Sequence, residues 1–260
     1  MAKSSHNYKK PAIIAGASVA ALLAFGGVAY ASAAATKAKY PVVSEQVQKY
    51  YDENVTGKAT AVPTRTPAKK VVAIGDSYSA GTGASSPSLG WVSIMSRTRD
   101  WNVTNLARGG TGYVSSVQVN AQNACGLDYC PSYPEMIADA VKISPQVVVV
   151  AGGRNDAKVQ PSDEAAAIHD FYSQLHAALP QATIVALNPW WDDAGAPASL
   201  ELMKAAVADA AAAAGGKFVD SGQPLDGKPE LLTTDSVHPN DKGHAALAKA
   251  TSTVFTTAGL

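Results

Sequence analysis

Cysteine is nearly absent from this chain: two residues in 260, Cys125 and Cys130. None lies near the end of the apolar run at the N-terminus, which excludes lipoprotein attachment there. No G-x-S-x-G occurs, so the nucleophile elbow of the α/β-hydrolase fold is missing. No G-x-G-x-x-G occurs either, and no internal repeat is visible. Gly222 to Lys228 matches the first seven positions of a phosphate-binding loop, but Pro229 replaces the required Ser or Thr. Pro224 also removes a backbone donor from that cradle, and the match is rejected.

Net charge is absent overall, with 21 basic and 21 acidic residues, yet the balance is not local. Residues 1–70 carry 10 Lys+Arg against 3 Asp+Glu, a net +7, and residues 71–260 carry 11 against 18, a net −7. An acidic main domain repels phosphates, which argues against nucleic acid as its partner. The split also marks a boundary near residue 70.

The basic N-terminal part has three sections. Lys3, Lys9 and Lys10 precede an uncharged run from about Ala12 to Ala35, ending in small residues that fit an A-x-A cleavage site. Residues 1–35 are therefore expected to be an export signal or, since the run can span a bilayer, an uncleaved membrane anchor. Either way the rest of the chain is expected to work outside the cytoplasm. Residues 36–69 are expected to be a spacer: Ser44 to Glu53 suits a short helix, and Gly57 to Lys70 suits an extended linker. In an exported chain two cysteines five residues apart predict a Cys125–Cys130 disulfide.

From Val71 onward strands and helices alternate. The strands expected are one from Val71, then Trp101–Ala107, Gln146–Gly152, Thr183–Asn188 and Lys217–Asp220. Helical patterns fall at Trp91–Arg99, Pro134–Ile143, Ser162–Leu179, Ala198–Ala214 and Asn240–Phe255. Val147 to Val150 is continuously apolar, as a strand covered on both faces must be. The fold class is α/β: a three-layer α/β/α sandwich over a five-stranded parallel sheet, spanning residues 70–260.

Active sites of open parallel sheets gather at the carboxyl ends of strands. There the chain places Gly75-Asp76-Ser77, then Gly109-Gly110-Thr111-Gly112, then Gly153-Arg154-Asn155-Asp156, and finally Asp235-Ser236-Val237-His238. Each block alone is ordinary turn chemistry, and Asp-Ser also suits a helix N-cap. Four of them in order at one sheet edge point to a site. A serine hydroxyl needs a base within reach. Of five histidines, His238 alone lies in a loop before a helix with an Asp three residues earlier. That spacing lets the carboxylate meet Nδ1 and leaves Nε2 free. His169 and His176 share a face of a predicted helix and are expected at the surface. His238 and His244 with Asp235 or Asp241 do not have convincing metal-site spacing.

These blocks closely resemble the SGNH hydrolase superfamily, the GDSL esterase/lipase family, over roughly residues 70–256. The resemblance implies a flavodoxin-like fold and ester hydrolysis through a serine nucleophile. It implies Ser77 as nucleophile, His238 as base and Asp235 as its orienting group. The Ser77 and Gly110 N–H groups and the Asn155 side chain would form the oxyanion hole. Tyr78 departs from the Leu of the family name and keeps the bulk of that position. Asp156 is expected to tie its loop to backbone N–H groups.

Arg154, Trp190 and Trp191 are expected to contact substrate, with packing an equal alternative for the aromatic pair. The expectation is an exported monomer, without metal or cofactor, acting on a small-molecule, carbohydrate or lipid ester. An acyltransferase with the same triad and a catalytically silent envelope-binding module are the alternatives.

Overall fold

A computed structural model describes residues 68–260, Asp193 apart. The proposed signal and the spacer up to residue 67 lie outside the described residues. Among the described residues no helix is long and apolar enough to cross a membrane.

Among the described residues the five strands are β1 (Lys69–Gly75), β2 (Trp101–Asn105), β3 (Val147–Ala151), β4 (Thr183–Leu187) and β5 (Lys217–Val219). All pair in parallel, in the order β2-β1-β3-β4-β5. The direction of winding reverses between β1 and β3, which opens a crevice beyond their carboxyl ends.

Alternation along each strand sorts its side chains into two layers. Val72, Ile74, Val148, Val150, Ile184 and Ala186 point to one face. Three helices cover it: α4 (Tyr133–Ile143), α5 (Pro161–Ala178) and α6 (Ala198–Ala213). Val71, Ala73, Val147, Val149, Val185 and Leu187 point to the other face, under α2 (Trp91–Thr98) and α7 (Asp241–Thr257). The continuous apolar runs follow from this, because neither face meets water. Phe171 of α5 is wholly buried in the first layer, and truncation to Ala is expected to cost about 3–5 kcal/mol.

Two short α-helices complete the set among the described residues: α1 (Ser77–Ala80) and α3 (Ala121–Cys125). Helix α4 starts at a capping box, where Ser132 and Glu135 satisfy each other's orphan donors. Helix α7 starts at Asn240, whose side chain accepts from Lys242 N and Gly243 N. Its inward face holds His244 together with Leu247, Ala248, Thr251 and Phe255. His244 Nε2 lies 3.0 Å from Thr82 O, which occupies that ring. His169 and His176 lie exposed on α5.

Candidate active site

The site is built from four chain segments at one sheet edge. Strand β1 ends at Gly75, and Asp76 then caps the single turn of α1 by accepting from Tyr78 N at 3.0 Å. Burial, opposed by the Tyr78 N–H and the Arg154 charge, pushes the Asp76 carboxyl up to about 6. Ser77 is the first residue of α1 and is 7% exposed. Ser79 anchors the turn to β3 through Ala151 O at 2.8 Å, and Asn105 at the end of β2 donates to Ser79 O at 2.8 Å. Ser77 is thus held rigidly at a helix start, where backbone N–H groups face outward.

Gly110 follows β2 with φ +77°, a region that favours glycine, and a Cβ there would stand 2.7 Å from Val117 Cγ2. Among the described residues, neither the Ser77 N–H nor the Gly110 N–H is bonded to another protein group. After β3 a 3₁₀ turn, Arg154–Asp156, brings in Asn155. Its Nδ2 donates to Thr111 O at 2.9 Å, which orients the amide and leaves its second hydrogen available. Asp156 is fully buried and ties this turn to the previous block, accepting from Tyr113 N at 2.6 Å and Ser115 N at 2.9 Å. Gly112 permits that approach, since a Cβ would stand 2.1 Å from Asp156 Oδ2.

The last segment precedes α7. Asp235 Oδ2 lies 2.6 Å from His238 Nδ1. Asp235 Oδ1 accepts from Val237 N and His238 N, each at 2.9 Å, and from Thr233 Oγ1 at 2.7 Å. Desolvation opposes the charge, but the bonds from His238, Thr233 and Val237 outweigh it and hold the carboxyl below its ordinary range. The His238 ring meets the ring of Tyr78, the neighbour of Ser77, edge to face at 6.2 Å. Serine, oriented histidine and three possible oxyanion donors therefore share one edge, the set that acyl transfer requires.

The model of the GDSL-like lipase/acylhydrolase family matches residues 73–246. The chain belongs to that family. It is similar to a GDSL lipase of Mycobacterium tuberculosis, 32% identical over 185 residues, covering 68% of this chain and 78% of that protein. Among solved structures it resembles the psychrotrophic esterase EstA of a Pseudoalteromonas species. That likeness has a TM-score of 0.56 at 15% identity, covering 73% of this chain and 97% of the other. It also resembles the salicylyl-acyltransferase SsfX3 of a tetracycline biosynthetic pathway. There the TM-score is 0.55 at 19% identity, covering 75% of this chain and 56% of the other. The fold is that of SGNH hydrolases, and the chain is a hydrolase of this type.

Within this GDSL domain the structure places the expected substrate contacts as follows, and for Trp190 it favours the packing alternative. Trp190 is 3% exposed, packs edge to face on Trp91 at 5.1 Å, and donates its indole N–H to Ser221 Oγ at 2.8 Å. It belongs to the core and has no face to offer a sugar. Arg154 is held within the protein: its Nη2 meets Asp192 Oδ2 at 2.9 Å and its guanidinium stacks over the half-buried Trp191 at 4.4 Å. Cys125 and Cys130 are joined, and Val117 pairs with Cys130 across the connection that follows Gly110. Asp192, Thr111 and the Tyr78 hydroxyl escaped the sequence reading. Polar residues at 78 and 154, both beside expected site residues, were the available signal.

Proposed function

We propose that this hydrolase is an exported serine esterase acting on short acyl or acetyl esters of carbohydrate or lipid. The observation that carries the reading is the Asp235–His238 contact at 2.6 Å, on the sheet edge that holds Ser77. With Nδ1 engaged, His238 Nε2 takes the proton as Ser77 Oγ attacks the ester carbonyl carbon. The oxyanion of the tetrahedral intermediate accepts from Ser77 N–H, Gly110 N–H and the free hydrogen of the Asn155 amide. Collapse breaks the carbonyl–alkoxy bond, and the leaving alcohol takes the proton from His238. Water then repeats the sequence on the acyl-enzyme and returns Ser77 to its hydroxyl form.

Export is supported by the uncharged run at residues 12–35 and by the disulfide, which reducing compartments disfavour. The fold shared with a salicylyl-acyltransferase favours a second reading, in which an alcohol rather than water takes the acyl group. Hydrolysis of p-nitrophenyl esters of increasing acyl length, with and without a sugar acceptor, tests both. The expected result is fastest release from the shortest esters, lost in Ser77→Ala, with free acid as the product. Acyl sugar as the main product would make the protein a transferase, and full activity in Ser77→Ala would remove both readings.

A further inference from the structure

Position 78 carries Tyr where the family name has Leu. Its ring is buried, which an aliphatic side chain would also achieve. The hydroxyl is what differs, and a buried hydroxyl without partners is costly. This one has two partners. It donates to Val237 O at 2.6 Å and accepts from Arg154 Nη1. Burial, despite the Arg154 charge, holds the phenol well above its ordinary range, so it stays a donor. Arg154 is fixed in turn by Asp192, with side chains 11% and 9% exposed.

The line Asp192, Arg154, Tyr78, Val237 thus crosses the ends of β4, β3 and β1 and reaches the loop before α7. Three of its members are chain neighbours of the reacting groups. Tyr78 follows Ser77, Arg154 precedes Asn155, and Val237 precedes His238. The loop needs outside support. Ser236 has φ 58°, a left-handed conformation that residues other than glycine rarely hold. The Asp235 bonds to Thr233, Val237 and His238 all lie within the loop and cannot set its place relative to Ser77. The Tyr78 bond can.

Resting on the esterase reading above, we infer that the Tyr78 hydroxyl is a positioning group for the reaction. It sets the His238 loop and, through Arg154, the Asn155 turn in one fixed relation to Ser77. A shift of about 1 Å in such groups can cost about 10²-fold in rate. Tyr78→Phe keeps the ring and removes both bonds. In the folded variant kcat should fall about tenfold or more while KM stays within about twofold. A group that merely stabilises the fold would lower Tm and leave kcat per folded molecule unchanged.

A folded Tyr78→Phe enzyme within about threefold of the unmodified kcat overturns the inference, as does a loss confined to KM. Should Tyr78→Phe not fold, Arg154→Lys carries the test, since Lys keeps the charge beside Asp192 and loses the fork that reaches Tyr78. A kcat loss of about threefold or more at unchanged KM is then expected, and an unchanged kcat overturns the inference. Ser77→Ala, run alongside, separates the two readings. If it keeps activity, the esterase reading fails; if it is inactive while Tyr78→Phe is not, only the positioning role fails.

Discussion

Asp235 gives one carboxylate oxygen to the His238 ring, at 2.6 Å, and the other to the backbone of the loop that carries His238. Orientation of the imidazole and shape of the loop therefore depend on the same side chain. Asp235→Asn is expected to lower kcat by at least about 10²-fold. The loss should fall short of the roughly 10⁴-fold found where the equivalent carboxylate is buried. Exposure is the reason, since the Asp235 side chain is 49% exposed and water can replace part of its field. Steady-state rates on a short p-nitrophenyl ester check this, and a loss under about tenfold would contradict it.

Asn155 donates to Thr111 O at 2.9 Å, and its remaining hydrogen is assigned to the oxyanion. Such a bond strengthens only as charge develops, so Asn155→Ala should reduce kcat by about 10²–10³-fold and leave KM nearly unchanged. Asn155→Asp should be no better, because a carboxylate would face the oxyanion. A folded Asn155→Ala enzyme within about threefold of full kcat would make Asn155 a structural residue of its turn.

Most of the frame was legible in the sequence because both faces of the sheet are covered. Runs such as Val147 to Val150 follow directly from that arrangement. The blocks at the strand ends were legible because glycines and acids mark them at one edge. Helix α3 was not, since five residues closed by a disulfide hold too little of a helical period. The sequence leaves Trp190 open between packing and substrate contact because its packing partner, Trp91, comes from a distant helix, and nothing beside Trp190 indicates which way it faces. The role of Arg154 depended on Asp192, which a different strand supplies. The burial of His244 was foreseeable, for it shares a helix face with Leu247 and Ala248.

Glu164 is buried, and its Oε1 has no hydrogen-bond partner among the described residues. Burial first, and then the Asp156 charge, push its carboxyl up to about 7 from an ordinary 4.5. The folded state therefore holds a proton that the unfolded chain releases. This contribution to stability is fully present below about 4.5 and is lost as pH rises through about 7. Glu164→Gln should raise Tm by several degrees at about pH 8 and change it little at about pH 4.5, which thermal melts at the two values check. Equal effects at both would show that the charge is not responsible.

The Cys125–Cys130 bridge closes a loop of about six residues, for which chain entropy gives a stabilisation of about 2 kcal/mol. Reduction should lower Tm by about 4–8 °C. The sheet should stay intact, since the bridge lies outside both core layers. Calorimetry with and without reductant measures this, and loss of the whole fold on reduction would contradict it.

The central claim is that Ser77 becomes acylated, and covalent labelling tests it most directly. A fluorophosphonate incubated with the intact protein should add one phosphonyl group. Peptide mass spectrometry should place that group on Ser77, and Ser77→Ala should abolish labelling with its circular dichroism spectrum unchanged. Labelling that persists in the folded Ser77→Ala protein, or that maps to another residue, would contradict the account.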